Sequence, residues 1–181
     1  FTRGHATRVA RYSAILAAAV DPDGSSLPLD ALDLGSELHD VGKIAVADGT
    51  LNKVGPLEPA EIAEIRLHPG TGRRIVQPLL DDDIVLSIVS WHHERWDGSG
   101  YPDGLAGESI PLAARLVALT DSLDAMTSPR AYRPARSWDD AVREIRREAG
   151  RQFDPSLMGP FDAVLDEMRR VYEEGEPDQT A

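Results

Sequence analysis

His92 and His93 stand side by side in the stretch SWHHERWDGSGYP at residues 90–102, and His5, His39 and His68 are spread through the chain before them. His39 is followed directly by Asp40, and a second aspartate, Asp121, falls inside a strongly apolar segment. A single histidine on an apolar helix face is ordinarily a core residue bonded to a backbone carbonyl. The carboxylates shift the balance. Asp40 and Asp121 lie in segments whose patterning predicts burial, and few basic residues share those faces to neutralise them. A metal cluster accounts for all seven burials together.

Histidine and aspartate without cysteine favour divalent ions of hard to intermediate character: Fe, Mn, Ni, Co or Zn. Seven such side chains exceed what one tetrahedral zinc takes. Two ions sharing a bridging carboxylate would use them and leave positions for water and substrate. Such a pair is the usual device for in-line attack on phosphorus.

The elements that must position these residues read as helices throughout, with no convincing strand alternation. A first helix is expected over about residues 2–19, with His5, Val9, Tyr12 and Leu16 on one face. A second starts near Leu29 and reaches LHDVGK, and AVADGTLNKVGP reads as loop. PLEPAEIAEIRLHP predicts a short helix ending near His68, followed by another over about 70–80. Asp81, Asp82 and Asp83 suit the N-terminus of the next, which carries Val85, Ile88, Val89 and His92 on one face. The segment 111–126 is apolar on two stripes, so it belongs in the middle of a bundle. Ser137 caps a helix ending near Gly150, and 155–172 supplies the last. The expectation is an all-α bundle of about seven helices with a Gly-rich loop. It spans residues 1–170, with a disordered tail at 171–181.

Composition bounds the function. The 181 residues suffice for one domain with a sizeable core, and 41% of them are hydrophobic. The longest apolar stretch, AILAAAV, is too short to cross a bilayer. No signal peptide is recognised and there is no cysteine, which suits a cytoplasmic location. The opening at Phe1, without an initiator Met, points to a domain cut from a longer protein whose upstream domain is absent here. With 19 Lys plus Arg against 31 Asp plus Glu, the formal charge is −12. Such a surface disfavours DNA or RNA as a partner. A small anion remains compatible if metal ions and local cations supply the positive field.

Taken in order, LHDVGK, LNKVGPLEPAEIAEIRLHPGTG, WHHERWDGSGYPDGL, IPLAARLVALTDSLDAMTSPRAYRPA and FDP at 153–155 resemble the HD-GYP domain of the HD phosphohydrolase superfamily. The resemblance runs from Phe1 to about Leu165. It implies a metal set of His5, His39, Asp40, His68, His92, His93 and Asp121. In that assignment Asp40 bridges two ions, one held by His5, His39 and Asp121 and the other by His68, His92 and His93. A three-metal branch of the family carries a carboxylate four residues before the first histidine. Here that position is Phe1, so two ions, Fe or Mn foremost, are expected.

The resemblance further implies that Lys43 neutralises a non-bridging phosphate oxygen and that Arg130 and Arg133 grip the phosphates and guanine of the substrate. Tyr101 is expected over the site mouth, its ring able to stack on a base and its hydroxyl to meet a phosphate. Gly98, Gly100, Gly104 and Pro102 shape the loop that carries it. Asp124 is expected to support a ligand rather than to bind metal, Arg73 to sit on a solvated face, and Trp91 and Trp96 to pack against the core. The implied function is hydrolysis of cyclic di-GMP to linear pGpG, and to GMP if the reaction proceeds. The loop is also implied in docking a diguanylate cyclase domain, and a homodimer is left open. Rival readings are hydrolysis of another cyclic dinucleotide and a cyclic di-GMP sensor or docking module without turnover. Di-iron oxygenation is disfavoured by the GYP loop and the arginines.

Overall fold

The structure is a computed structural model that describes residues 3–129 and 135–174. Among the described residues the chain is all helical, as its patterning predicts, with ten α-helices and three short 3₁₀ turns. The helices are α1 (Arg3–Val20), α2 (Leu29–Leu38), α3 (Asp48–Leu51), α4 (Pro59–Arg66), α5 (His68–Val76), α6 (Asp83–Trp91), α7 (Leu112–Thr127), α8 (Trp138–Arg147), α9 (Met158–Ala163) and α10 (Leu165–Glu174). No helix among them is long and apolar enough to cross a membrane.

α7 occupies the middle. Both of its stripes are buried, Leu116, Leu119 and Leu123 on one and Ala113, Val117 and Thr120 on the other. It packs against α1, α6 and α8, and its apolar residues join Leu16, Ile88, Ile145 and Phe161 in the main core. α6 is equally enclosed, with every residue from Val85 to Ser90 buried. The carboxylate of Asp82 starts α6 by accepting from the N–H groups of Ile84 and Val85 at 2.9 and 3.0 Å. Ser137 caps α8 through the Asp140 N–H in the same way. A buried hydroxyl pair, Ser13 and Thr120 at 2.7 Å, ties α1 to α7 beside the turn that carries Asp121.

Several boundaries differ from the sequence expectation, each for a local reason. α2 stops at Leu38, and the chain tightens into a 3₁₀ turn, Val41–Ala45, closed by Lys43 N–H on Asp40 O at 3.0 Å. That turn lies hard against α5. A Cβ added at Gly42 would stand 1.9 Å from the His68 carbonyl oxygen, so only glycine fits there. α5 begins at His68, before the proline. Pro69 sits in its first turn, where a missing N–H leaves no helical bond unmade. Part of the expected loop after Lys43 forms α3, one turn whose Thr50 hydroxyl bonds Glu64 of α4 at 2.8 Å.

The last expected helix is interrupted. A 3₁₀ turn, Pro155–Leu157, precedes α9, and the chain breaks at Val164, whose N–H bonds Phe161 O in the tighter i→i−3 pattern. α10 then runs to Glu174 and buries Val171, so the packed chain extends past residue 170.

Candidate metal centre

All seven residues expected to bind metal converge. His5 comes from α1, His39 caps the C-terminus of α2, and Asp40 opens the 3₁₀ turn. His68 begins α5, His92 and His93 follow α6, and Asp121 comes from α7. Their ligand atoms form two groups, each within 4.8 Å internally: Asp40, His68, His92 and His93, and His5, His39 and Asp121. Asp40 stands between the groups. Its Oδ2 is 3.2 Å from His39 Nε2, while its Oδ1 is 3.3 Å from His68 Nε2 and 3.9 Å from His92 Nε2. Asp121 Oδ1 lies 3.2 Å from His5 Nε2 and 4.0 Å from His39 Nε2.

The rings are oriented from behind. His39 Nδ1 lies 2.5 Å from Ser36 O, His68 Nδ1 2.7 Å from Ile65 O, and His92 Nδ1 2.9 Å from Ile88 O. A carbonyl only accepts, so these Nδ1 atoms carry a proton and the Nε2 atom of each ring is the one turned inward. His5 Nδ1 is held instead by the Asp124 carboxylate at 2.6 Å, and Arg8 steadies Asp124 at 2.5 Å. Asp124 is thus a support for His5, as expected from the sequence.

Inward-facing imidazole nitrogens and carboxylates gather positive charge, as protons or as a metal ion. His68 Nε2 and His92 Nε2 are 3.3 Å apart, and His39 Nε2 is buried without a hydrogen-bond partner. Backed nitrogens that converge on a shared carboxylate are the usual surroundings of a bound metal. The donor set therefore fits divalent metal, as the sequence predicts.

The protonation preferences fit the same geometry. Burial opposes a charge on His5, yet hydrogen bonds to Asp121 and Asp124 outweigh it and lift the ring to about 9. His39 is raised by Asp40 against the same opposing burial. Burial works to raise Asp40, but the neighbouring His39, His68 and Lys43 hold it well below the usual carboxylate range. Burial and the neighbouring imidazoles keep His92 neutral, and burial lowers His93 to about 4.

Lys43 Nζ lies 2.7 Å from both oxygens of Asp40, so it stands beside the centre as the carboxylate's partner. Tyr101 lies beside the centre, with His93 stacked on its ring and Arg66 over it. It stacks on His93 with centroids 4.8 Å apart and planes at 25°. Arg130 and Arg133 lie outside the described residues, as does Phe1.

Two residues carry more than the sequence suggested. Glu94 is buried and accepts from the N–H groups of Asp103 and Gly104 at 2.7 and 3.0 Å, folding the loop back on the histidine doublet. Its place directly after His93 was the only hint. Arg66 sits over the Tyr101 ring, a contact between distant segments that spacing does not reveal. Trp91 and Trp96 sit partly exposed rather than in the core. Trp91 bonds Asp103 at 2.8 Å and carries Arg73 over its ring, and Trp96 carries Arg115. Arg73 is therefore packed rather than freely solvated.

A separate groove of about 780 Å³ runs along α8 between Arg136, Arg143, Arg146 and Arg147. Those arginines are paired with Glu144, Asp140 and Asp162, which leaves little positive field for a ligand.

Residues 1–157 match the HD domain family, and the chain belongs to it. It is 43% identical over 136 residues to the cyclic di-GMP phosphodiesterase response regulator RpfG of Xanthomonas campestris pv. campestris, a match covering 74% of this chain and 35% of that protein. It is 35% identical to 3′3′-cGAMP-specific phosphodiesterase 2 of Vibrio cholerae, covering 87% of this chain and 30% of the relative. The chain thus spans about a third of the length of these relatives. Its fold is shared with Bd1817, an HDG"Y"P protein from Bdellovibrio bacteriovorus. There the TM-score is 0.70 at 22% identity, over 90% of this chain and 51% of the other. The resemblance to HD-GYP domains read from the motifs is borne out by these relatives.

Proposed function

We propose that this domain hydrolyses a phosphodiester bond of cyclic di-GMP to give linear pGpG, using two divalent metal ions, Fe or Mn foremost. One observation carries the reading: the two oxygens of Asp40 face two separate groups of imidazoles, the arrangement a bridging carboxylate needs. His5, His39 and Asp121 would hold one ion, and His68, His92 and His93 the other. Bound there, the ions supply an activated water and neutralise charge on the phosphoryl oxygens.

The chain's own residues do the rest. Asp124 and the carbonyls of Ser36, Ile65 and Ile88 fix the ligand rings. Lys43 is within reach of a phosphate placed over Asp40 and adds positive charge where the transition state gains negative charge. Tyr101 covers His93 and limits water at the mouth. Arg130 and Arg133 take the phosphates and guanine by resemblance. The resemblance alone also supports docking of a diguanylate cyclase domain on the GYP loop, a homodimer and a cytoplasmic location.

A second substrate has support from the relatives, because the 35% identical Vibrio protein is named for 3′3′-cGAMP. Labelled cyclic di-GMP and 3′3′-cGAMP, incubated with the Mn(II)- or Fe(II)-loaded domain and resolved by chromatography, distinguish the two. The expected product is pGpG from cyclic di-GMP. Tight binding of cyclic di-GMP without turnover would replace the enzyme reading with a sensor.

A further inference from the structure

Arg66 ends α4 two residues ahead of His68, and its guanidinium carbon lies 5.2 Å from the centroid of the Tyr101 ring. That ring is in turn stacked on His93. The row runs outward from the centre: His92 is buried, His93 and Tyr101 are half-buried, and Arg66 is exposed. A cation and an aromatic ring therefore stand in a row between solvent and His93.

Arg66 differs from the paired cations nearest the centre, and it shares the want of a carboxylate partner among the described residues with Arg73, which lies over Trp91, and Arg74. Close to the centre the chain neutralises its cations with carboxylates: Lys43 on Asp40 and Arg8 on Asp124. Arg115 is likewise committed to Asp154. Arg66 has no carboxylate partner among the described residues; its contact is the Tyr101 ring. A guanidinium held against a ring keeps an edge of N–H donors that matches two oxygens of one phosphate. The Tyr101 phenol lies within the field of both sides. Burial raises it, Arg66 opposes that rise, and Asp40 and Asp121 add to it.

We propose that Arg66 binds a phosphate of the cyclic dinucleotide as it crosses Tyr101, setting the diester over Asp40 and the histidine doublet. The proposal rests on the phosphodiesterase reading above. It makes Tyr101 a platform that holds the arginine as well as a cover for His93. Lysine at the same place would keep the charge but lose the paired donors and the flat contact with the ring.

The test compares wild-type domain with Arg66→Ala, Arg66→Lys and Arg74→Ala, the last an exposed arginine whose side chain bonds the Thr71 hydroxyl. Each Mn-loaded protein is assayed for KM on cyclic di-GMP and for metal content. Equilibrium binding of cyclic di-GMP is measured in parallel on the chelator-treated proteins. Arg66→Ala is expected to raise both KM and Kd about tenfold or more at unchanged metal content, with Arg66→Lys recovering part of the loss. Arg74→Ala is expected to leave both constants at wild-type values. Wild-type constants in Arg66→Ala, or an equal rise in Arg74→Ala, overturn the proposal. If the wild type binds without turnover, the phosphodiesterase reading fails, and the Kd comparison still decides the role of Arg66. If it neither binds nor reacts, both fall.

Discussion

Gly42→Ala puts a single methyl group into the contact between the Asp40 turn and α5. The new Cβ would stand 1.9 Å from His68 O, 2.5 Å from Gly72 N and 2.9 Å from the His68 carbonyl carbon. All three are backbone atoms, so no rotamer change relieves the clash. Reaching even a 3.0 Å contact requires the two segments to part by about 1.1 Å, an overpacking that costs about 3 kcal/mol. For a domain of this size that is a fall in Tm of roughly 6–12 °C. The same movement separates Asp40 from His68, whose ligand atoms are 3.3 Å apart, whereas a working site tolerates only about 0.5 Å of displacement. Metal affinity should drop about 10–100-fold. Gly70→Ala is the control. It lies in the first turn of α5, an added Cβ meets nothing within 4 Å, and it should stabilise the domain by about 0.5–1 kcal/mol. Thermal melts and Mn(II) titration of both variants measure the two effects. If Gly42→Ala melts with the wild type and binds Mn(II) as tightly, the close approach does not set the geometry of the centre and the argument is wrong.

Removing the shared carboxylate should empty the centre, whereas removing one terminal ligand should not. Metal analysis of purified protein is expected to find almost no ion in Asp40→Asn and about one per chain in His5→Ala, with no turnover in either; two ions in Asp40→Asn would refute the bridge. Chelator-treated domain should show an alkaline loss of stability. The carboxylates raise His5 from 6.5 to about 9, so its charged form stabilises the fold fully below about pH 6.5 and progressively less as pH rises through 9. Urea melts between pH 6 and pH 10 should show a shallower decline in His5→Gln, and an unchanged profile would deny His5 that role. Glu94→Ala removes the acceptor of two loop N–H groups, which should cost about 2–3 kcal/mol and speed amide exchange at Asp103 and Gly104. Wild-type exchange at both amides would show that the loop is held by other contacts.

The site was legible in sequence to an unusual degree because its ligands are side chains that have few other reasons to be buried. All five histidines and both aspartates meet, although they come from elements as far apart as α1 and α7. The bundle class followed from periodicity, and the Asp82 and Ser137 caps from short polar residues ahead of apolar runs. What escaped depends on contacts between segments distant in sequence. Nothing in EIRLHP announces that Arg66 meets Tyr101. Nor does LHDVGK reveal that its turn presses on α5, since a glycine at a close approach reads the same as one in an open turn. The break at Val164 was hidden by an unbroken helical pattern through Phe161, Val164 and Met168.

Three of the ligand rings are anchored to carbonyls only three or four residues back along their own chain: His39 to Ser36, His68 to Ile65 and His92 to Ile88. Each such ring has its Nδ1 fixed within a single local turn. Rotational freedom about those side-chain bonds is therefore surrendered when the turn forms, not when an ion arrives. Affinity at this centre then depends on how accurately whole helices are docked against one another. A distant core substitution that shifts α5 against α6 should weaken metal binding while every ring keeps its local pose.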